Sequence, residues 1–141
     1  LLMAAKMRER EEYAYFEEHV EPLLGAEVQY VGEVGGAHKQ QLLDDALALV
    51  NPIAWPEPFG LVMVEALAAG TPVLTFPQGA APEIVDDGVT GFLCSNVADM
   101  AARVAQVPTL DRSKCRAAVE ERFSTQRMVK DHLELFEFLL S

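Results

Sequence analysis

Residues Glu57–Pro72 read EPFGLVMVEALAAGTP, and this stretch predicts a helix followed directly by a strand. Its middle is almost entirely apolar, which is typical of a buried helix. Gly70 and Pro72 follow the last apolar residues, and a glycine with a proline just beyond it is a common helix stop. We therefore predict a helix over Phe59–Ala69 that leads into a buried strand over Pro72–Phe76.

The same alternation of short apolar strands with longer amphipathic helices runs through the rest of the chain. It predicts a Rossmann-like, doubly wound parallel α/β sheet, which binds ligands beyond the carboxyl ends of its strands. No linker interrupts the pattern, so we expect one domain over residues 1–141. The other predicted strands are Leu1–Ala5, which we expect to be buried, Glu27–Gly32, Val50–Ile53 and Gly91–Leu93; the other predicted helices are Arg8–Leu24, Ala37–Leu49, Ala81–Val85 and three pieces from Val97 onward, divided near Pro108 and Ser124.

The charge balance excludes several classes of partner. The chain has 22 acidic residues against 11 Lys and Arg, a formal net charge of -11 at pH 7, which would repel a nucleic-acid backbone. No apolar run approaches the roughly 20 residues that a membrane-spanning helix needs. The two cysteines, Cys94 and Cys115, belong to no disulfide or metal-binding pattern, so we expect a cytoplasmic setting and no metal site.

Two glutamates frame the start of the helix in the opening stretch. Glu57 lies in the loop before it, and Glu65 is the one charge within it. The first backbone N–H groups of a helix, here those of Phe59, Gly60 and Leu61, lack partners inside the helix and attract phosphate or hydroxyl oxygens. Carboxylates accept hydrogen bonds from paired sugar hydroxyls. Because Gly60 and Glu65 are separated by roughly 7.5 Å of helix, the stretch suits a ligand with two polyol ends, such as a nucleotide-sugar.

Taken alone, two glutamates at this spacing are also common as solvent-exposed charges. The whole stretch, however, resembles the E-x7-E segment of the retaining GT-B glycosyltransferases, the group 1 family. The resemblance covers roughly residues 1–125, and its segments follow the family's order. The matching segments are Tyr30–Val34, Lys39–Leu43, Pro52–Pro72, Gly79–Val85 and Asp87–Leu93.

This resemblance implies roles for the residues of the opening stretch. Glu57 would bind hydroxyls of the transferred sugar, and the backbone of Phe59, Gly60 and Leu61 would approach the sugar and the diphosphate. Glu65 would bind the ribose hydroxyls. The resemblance thus implies that the chain is the C-terminal, donor-binding half of a GT-B fold without its first strand–helix unit.

Four residues elsewhere receive weaker assignments from the same resemblance. Val34 and Lys39 match positions that contact the nucleotide base, although Lys39 at an exposed helix start is equally well explained as a solvated charge. Gly79 and Ala80 match a loop near the diphosphate. The resemblance implies no metal and no other cofactor, since the nucleotide-sugar is itself a substrate.

The function implied by the resemblance is sugar transfer from a nucleotide-sugar to an acceptor, with retention of anomeric configuration. The family's donor half opens with a strand–helix unit carrying an Arg and a Lys, and an amino-terminal half binds the acceptor. We expect this chain to lack both, and therefore to be inactive alone and prone to self-association through an exposed strand edge. The alternatives are a non-catalytic nucleotide-sugar-binding module, a sugar-nucleotide epimerase, or a phosphorylase, for which no pyridoxal-binding lysine is evident.

Overall fold

The computed structural model describes all 141 residues. Their contacts divide the chain into two units, Leu1–Gln40 and Gln41–Ser141. Each unit contains its own parallel sheet, and helices connect the strands. The predicted α/β class with parallel strands is therefore confirmed, while the assignment of residues 1–141 to one donor-binding domain stays a prediction.

The first unit is built on two short parallel strands. Strand β1, Leu2–Ala4, pairs with β2, Gln29–Gly32, and Met3 lies opposite Tyr30. The prediction of a helix between these strands is confirmed over residues 10–23, but its regular α-helical form is wrong, because the pitch changes twice. Pro22 contributes to the last change, since it has no backbone N–H to continue the α-helical ladder. The helical segments are α1, Arg10–Tyr15, a π-helical stretch, Phe16–Val20, and a 3-10 turn, Glu21–Leu23.

The prediction that the first strand is buried is also wrong. Leu2 is 54% exposed, and no side chain between residues 1 and 40 is fully buried. A strand of apolar residues is buried only where other elements cover both its faces. In the first unit β2 pairs with the edge of β1 and covers neither of its faces.

The second unit contains a three-stranded parallel sheet in the order β3-β4-β5. Strand β3 is Leu49–Asn51, β4 is Val73–Thr75 and β5 is Gly91–Leu93, with Leu74 of the central strand opposite Val50 and Phe92.

The helix predicted over Ala37–Leu49 ends earlier, at Asp45, because Leu49 joins the sheet through its N–H bond to the Pro72 carbonyl, 2.9 Å long. The helices are α2, Gly36–Asp45, which spans the boundary between the units, α3, Leu61–Ala68, α4, Ala81–Ile84, α5, Val97–Val104, α6, Arg112–Arg122, and α7, Thr125–Leu140, with a 3-10 turn at Val107–Thr109.

Helices cover both faces of the second sheet. Successive side chains of a strand point to opposite faces. Val73 accordingly packs with Leu67 of α3 in one buried cluster, while Leu74 packs with Phe92 and Met100 in another. This two-sided core is the doubly wound arrangement that the sequence predicts.

Helix α7 differs from the other long helices because none of its residues is buried. Phe138 is 75% exposed and Leu139 is 66% exposed. No helix in the protein combines the length and the apolar composition required to cross a membrane.

Candidate functional site

Two loops leave neighbouring parallel strands at the same edge of the second sheet. The first follows β3, which ends at Asn51, and leads to α3 at Leu61. The second follows β4, which ends at Thr75, and leads to α4 at Ala81. Ligands of open α/β sheets bind beyond the carboxyl ends of such strands. The two loops therefore form the candidate site.

Gly60 allows the first loop to turn into α3. Its backbone is left-handed, with φ 75° and ψ 54°, a conformation that residues with side chains rarely adopt. A Cβ atom placed on it would collide with the end of the Met63 side chain and lie 3.6 Å from both Glu57 Cγ and Ile84 Cδ1. The Gly60 N–H donates to Glu57 Oε1 over 3.4 Å. The half-buried Glu57 carboxylate therefore lies at the start of α3.

Gly79 and Ala80 fix the second loop against the first. The Ala80 N–H donates to the Glu57 carbonyl over 2.9 Å. Gly79 also has a positive φ, 56°, and a Cβ atom on it would lie 2.6 Å from Glu57 N and 2.8 Å from Pro56 C. Only glycine allows this close approach of the two backbones. The structure thus brings together four predicted site residues, which we call the two-loop cluster: Glu57, Gly60, Gly79 and Ala80.

Helix α3 begins later than the sequence predicts. Leu61 is its first residue and Gly60 is its N-cap, so Phe59 lies in the loop and does not contribute a helical N–H. The N–H groups of Leu61 and Val62 lie in the first turn, where partners must come from outside the helix. Leu61 is 67% exposed.

The prediction of a buried helix holds for only one side of α3. Met63, Ala66 and Leu67 are buried, whereas Leu61 and Ala68 are exposed. The sequence cannot show this difference because all five side chains are apolar. Glu65 is half-buried, one turn beyond Leu61, so its carboxylate does not bear the full cost of an enclosed charge.

Val34 and Lys39 belong to the first unit. Val34 follows the end of β2 by two residues and is half-buried. Lys39 lies in the first turn of α2, is also half-buried, and its backbone N–H donates to the Gly35 carbonyl over 3.3 Å. Their predicted contact with a nucleotide base stays a prediction.

Three residues that the sequence analysis did not select touch the two-loop cluster or its flanks. Ile84 lies beside Gly60, the ring of Phe123 lies 6.4 Å from that of Phe59, and Arg122 binds the end of α4. Along the chain, Arg122 lies 38 residues beyond Ile84, and Phe123 follows it as the C-cap of α6. No local pattern links them to the loops, so only the fold reveals the contact.

In the loop after β5, the polar groups form hydrogen bonds with one another and with the start of α5. The Asp99 carboxylate accepts from the Ser95 N–H over 2.9 Å and from Arg103 Nε over 3.2 Å. These bonds lower the pKa of Asp99 below its ordinary value, the Ser95 backbone bond first and the Arg103 bond second. Across the 141 described residues, no three His, Cys, Asp or Glu side chains come close enough to hold one metal ion.

A parallel α/β sheet with a glycine-lined, two-loop edge belongs to the class of α/β domains that bind ligands beyond the carboxyl ends of their strands. The comparisons make the class specific, since the model of the family "glycosyl transferases group 1" matches residues 9–123. The chain belongs to this family of glycosyltransferases.

Named relatives agree with the family. N-acetyl-alpha-D-glucosaminyl L-malate synthase of Bacillus anthracis is 28% identical over 77% of this chain. Glycogen synthase of Mycobacterium tuberculosis is 41% identical over 64% of it. The chain covers only 30% and 23% of these two relatives, so it spans less than a third of their length.

Solved structures share the fold over nearly the whole chain. Anabaena HepE in complex with UDP aligns with a TM-score of 0.81 at 26% identity, covering 96% of this chain and 40% of HepE. HepE in complex with UDP and glucose gives 0.80 at 25% identity, with the same coverage. Sucrose-phosphate synthase of Thermosynechococcus elongatus, at 24% identity and a TM-score of 0.81, supports the fold alone; it covers 99% of this chain and 38% of that protein.

Proposed function

We propose that this chain supplies most of the donor-binding half of a retaining glycosyltransferase, and that residues 1–141 are its nucleotide-sugar-binding domain. The observation that carries the proposal is the two-loop cluster at the carboxyl edge of the second sheet. It joins a carboxylate, Glu57, to two glycines whose backbones accept no side chain, Gly60 and Gly79. The structural neighbour HepE has been seen with UDP.

The roles follow the direction of α3. Exposed N–H groups at the start of a helix, aided by its dipole, attract a diphosphate, and Leu61 provides one of them. In the proposal, Gly79 and Ala80 contact the same diphosphate from the other loop. Glu57 accepts from sugar hydroxyls, and Glu65, about 7.5 Å further along the helix, accepts from the ribose hydroxyls. Phe59 lines the sugar site beside Gly60, and Val34 and Lys39 contact the base.

The proposal requires neither a metal nor another cofactor. The helix dipole and backbone N–H groups supply the positive potential that a diphosphate needs. Addition of a chelator should therefore leave the affinity for UDP unchanged. The acceptor is not part of this site, and sugar transfer belongs to the whole protein.

The sharpest experiment separates the two glutamates by ligand. UDP and UDP-glucose are titrated into the purified 141-residue chain, with binding followed by NMR shift changes, which detect millimolar affinities. Glu65→Ala should weaken both ligands about tenfold, because each loses bonds to an ionised partner. Glu57→Ala should remove only the extra affinity that the glucose contributes.

Glu83→Ala is the matched control, since it removes an exposed carboxylate from the neighbouring helix α4. It should leave both affinities unchanged. Equal affinities in the wild type and Glu65→Ala, or no binding by a folded wild type, would refute the donor site. Retention is tested on the full-length enzyme, by the anomeric proton coupling of its first product.

A further inference from the structure

Arg122, the last residue of α6, forms hydrogen bonds with the C-terminal end of the short helix α4. Arg122 Nη1 donates to the Glu83 carbonyl and Nη2 to the Ile84 carbonyl, each over 3.2 Å. The same two nitrogens donate to the Asp86 carboxylate over 3.3 and 2.9 Å, a two-point ion pair. The Arg122 side chain is 29% exposed, so these bonds are partly shielded from water. One guanidinium thus satisfies the carbonyls at which α4 ends.

Helix α4 depends on hydrogen bonds from outside the helix, because it has only four residues. An isolated turn fixes more backbone dihedrals than its few hydrogen bonds stabilise. Its first end follows directly from Ala80, whose N–H is bonded to the Glu57 carbonyl. Its last residue, Ile84, is 2% exposed and reaches Gly60. The hydrogen bond from Arg122 to the Ile84 carbonyl therefore helps to fix the positions of both loops of the two-loop cluster.

Phe123 supports the other side of the same cluster. Its ring meets the Phe59 ring edge to face, at 82° and 6.4 Å between centroids. Phe59 is the residue before Gly60, so this contact bears on the first loop. The Arg122 guanidinium also lies 5.5 Å from the centre of the Phe123 ring. Two consecutive residues thus hold α4 on one side and the first loop on the other.

We propose that Arg122 and Phe123 are positioning residues that set the spacing of the two loops, and thereby the affinity for the diphosphate of the donor. This inference rests on the proposed function. The planar guanidinium matters, because its fork bonds two carbonyls and a carboxylate at once, and the single ammonium of a lysine cannot reproduce that geometry.

The first part of the test does not depend on any ligand. Amide hydrogen exchange is measured at Ala80, whose N–H joins the two loops, and at Cys94, whose N–H bonds Thr75 in the core sheet. Arg122→Lys and Arg122→Ala should speed exchange at Ala80 about tenfold and leave Cys94 unchanged. Unchanged exchange at Ala80 would overturn the inference. If Arg122→Ala fails to fold, Arg122→Lys, which keeps the charge, decides the result.

The second part compares UDP with uridine, which lacks the diphosphate. Arg122→Lys should weaken UDP binding about fivefold and leave uridine binding unchanged, as should Phe123→Leu. Arg116→Lys, on an exposed position of the same helix, should change neither. A loss of affinity equal for both ligands would mean general loosening of the structure and would overturn the positioning role. If wild-type chain binds no UDP, the proposed function fails, whereas the Ala80 exchange result still decides whether Arg122 holds the loop.

Discussion

The two units differ in how completely they bury their side chains. The first, Leu1–Gln40, contains no fully buried residue, whereas the second, Gln41–Ser141, contains two buried clusters, one on each face of its sheet. Apolar residues are not scarce in the first unit; Leu1, Leu2 and Leu23 are all more than half exposed. Burial therefore follows from the number of covering layers and not from local hydrophobicity. The precise placement of site residues is expected from the second unit.

The largest expected difference between the units is in the unfolding free energy lost when a glycine is replaced by alanine. Gly91→Ala places a Cβ atom against the Val73 backbone, 2.8 Å from its carbonyl carbon and 2.9 Å from its nitrogen. Backbone cannot move aside as a flexible side chain can, so we expect a loss of about 4 kcal/mol or more of unfolding free energy. Gly35→Ala in the first unit is the control, because nothing lies within 4 Å of its added Cβ. Urea unfolding measures both, and similar midpoints for the two variants would contradict the close approach.

The second difference is in the unfolding free energy lost when a leucine is replaced by alanine. Leu67→Ala removes a side chain that is fully buried in α3, while Leu2→Ala makes the same deletion at a position that is 54% exposed. The buried deletion should cost about 3 kcal/mol, because it leaves a cavity as well as losing burial. The exposed one should cost less than about 1 kcal/mol. Chemical denaturation of the two variants checks this, and comparable losses would mean that Leu2 is covered in solution.

The element order could be predicted from the sequence because it rests on local patterns. The helix stop at Gly70 and Pro72 marks the step from α3 into β4, and the parallel pairing of β3, β4 and β5 is confirmed. The errors arise where long-range contacts decide the outcome. The apolar residue Leu49 looks helical, but it lies in β3 and donates its N–H to the Pro72 carbonyl, and Leu2 looks buried although it is more than half exposed.

The candidate site was predicted unevenly for the same reason. Glycine and glutamate in the opening stretch have local signatures, and the structure brings Glu57 and Gly60 together with Gly79. Arg122 and Phe123 could not be found, since their contacts join residues far apart in the chain. The sequence pattern places Phe59 at a helix start, whereas it lies in the loop before Gly60. The roles assigned to these residues remain predictions that ligand titrations can test.

Local stability should also differ between the units. The Ala5 N–H donates to the Gly32 carbonyl over 3.1 Å, and the Cys94 N–H donates to Thr75 over 2.8 Å; both bonds lie just beyond a parallel strand. Ala5 is exposed and Cys94 is fully buried. Because opening an exposed region uncovers little apolar surface, we expect amide hydrogen exchange at Ala5 to be about a hundredfold faster than at Cys94. Native-state hydrogen exchange by NMR measures this, and equal protection would show that the first unit is as stable as the second.

The smallest expected difference concerns alkaline pH, because both cysteines lie in the second unit. Burial raises the pKa of the Cys115 thiol above its ordinary value of 9.0. The folded state therefore holds this proton more tightly than the unfolded state does. The resulting stabilisation is complete below the unfolded pKa and is lost as the pH rises through the folded one. The difference in unfolding free energy between wild type and Cys115→Ala should accordingly be constant from about pH 6 to 8 and shrink above about pH 9.

Urea titrations of both proteins at each pH measure that difference directly and cancel the titration of every other group. Cys94→Ala should behave in the same direction, since burial raises the pKa of the Cys94 thiol too. A difference that stays constant to about pH 10 would mean that the Cys115 thiol ionises in the folded state as readily as in the unfolded chain. It would then have access to water, and the α3–α6 side of the core, where Cys115 packs, would be more open than the structure describes.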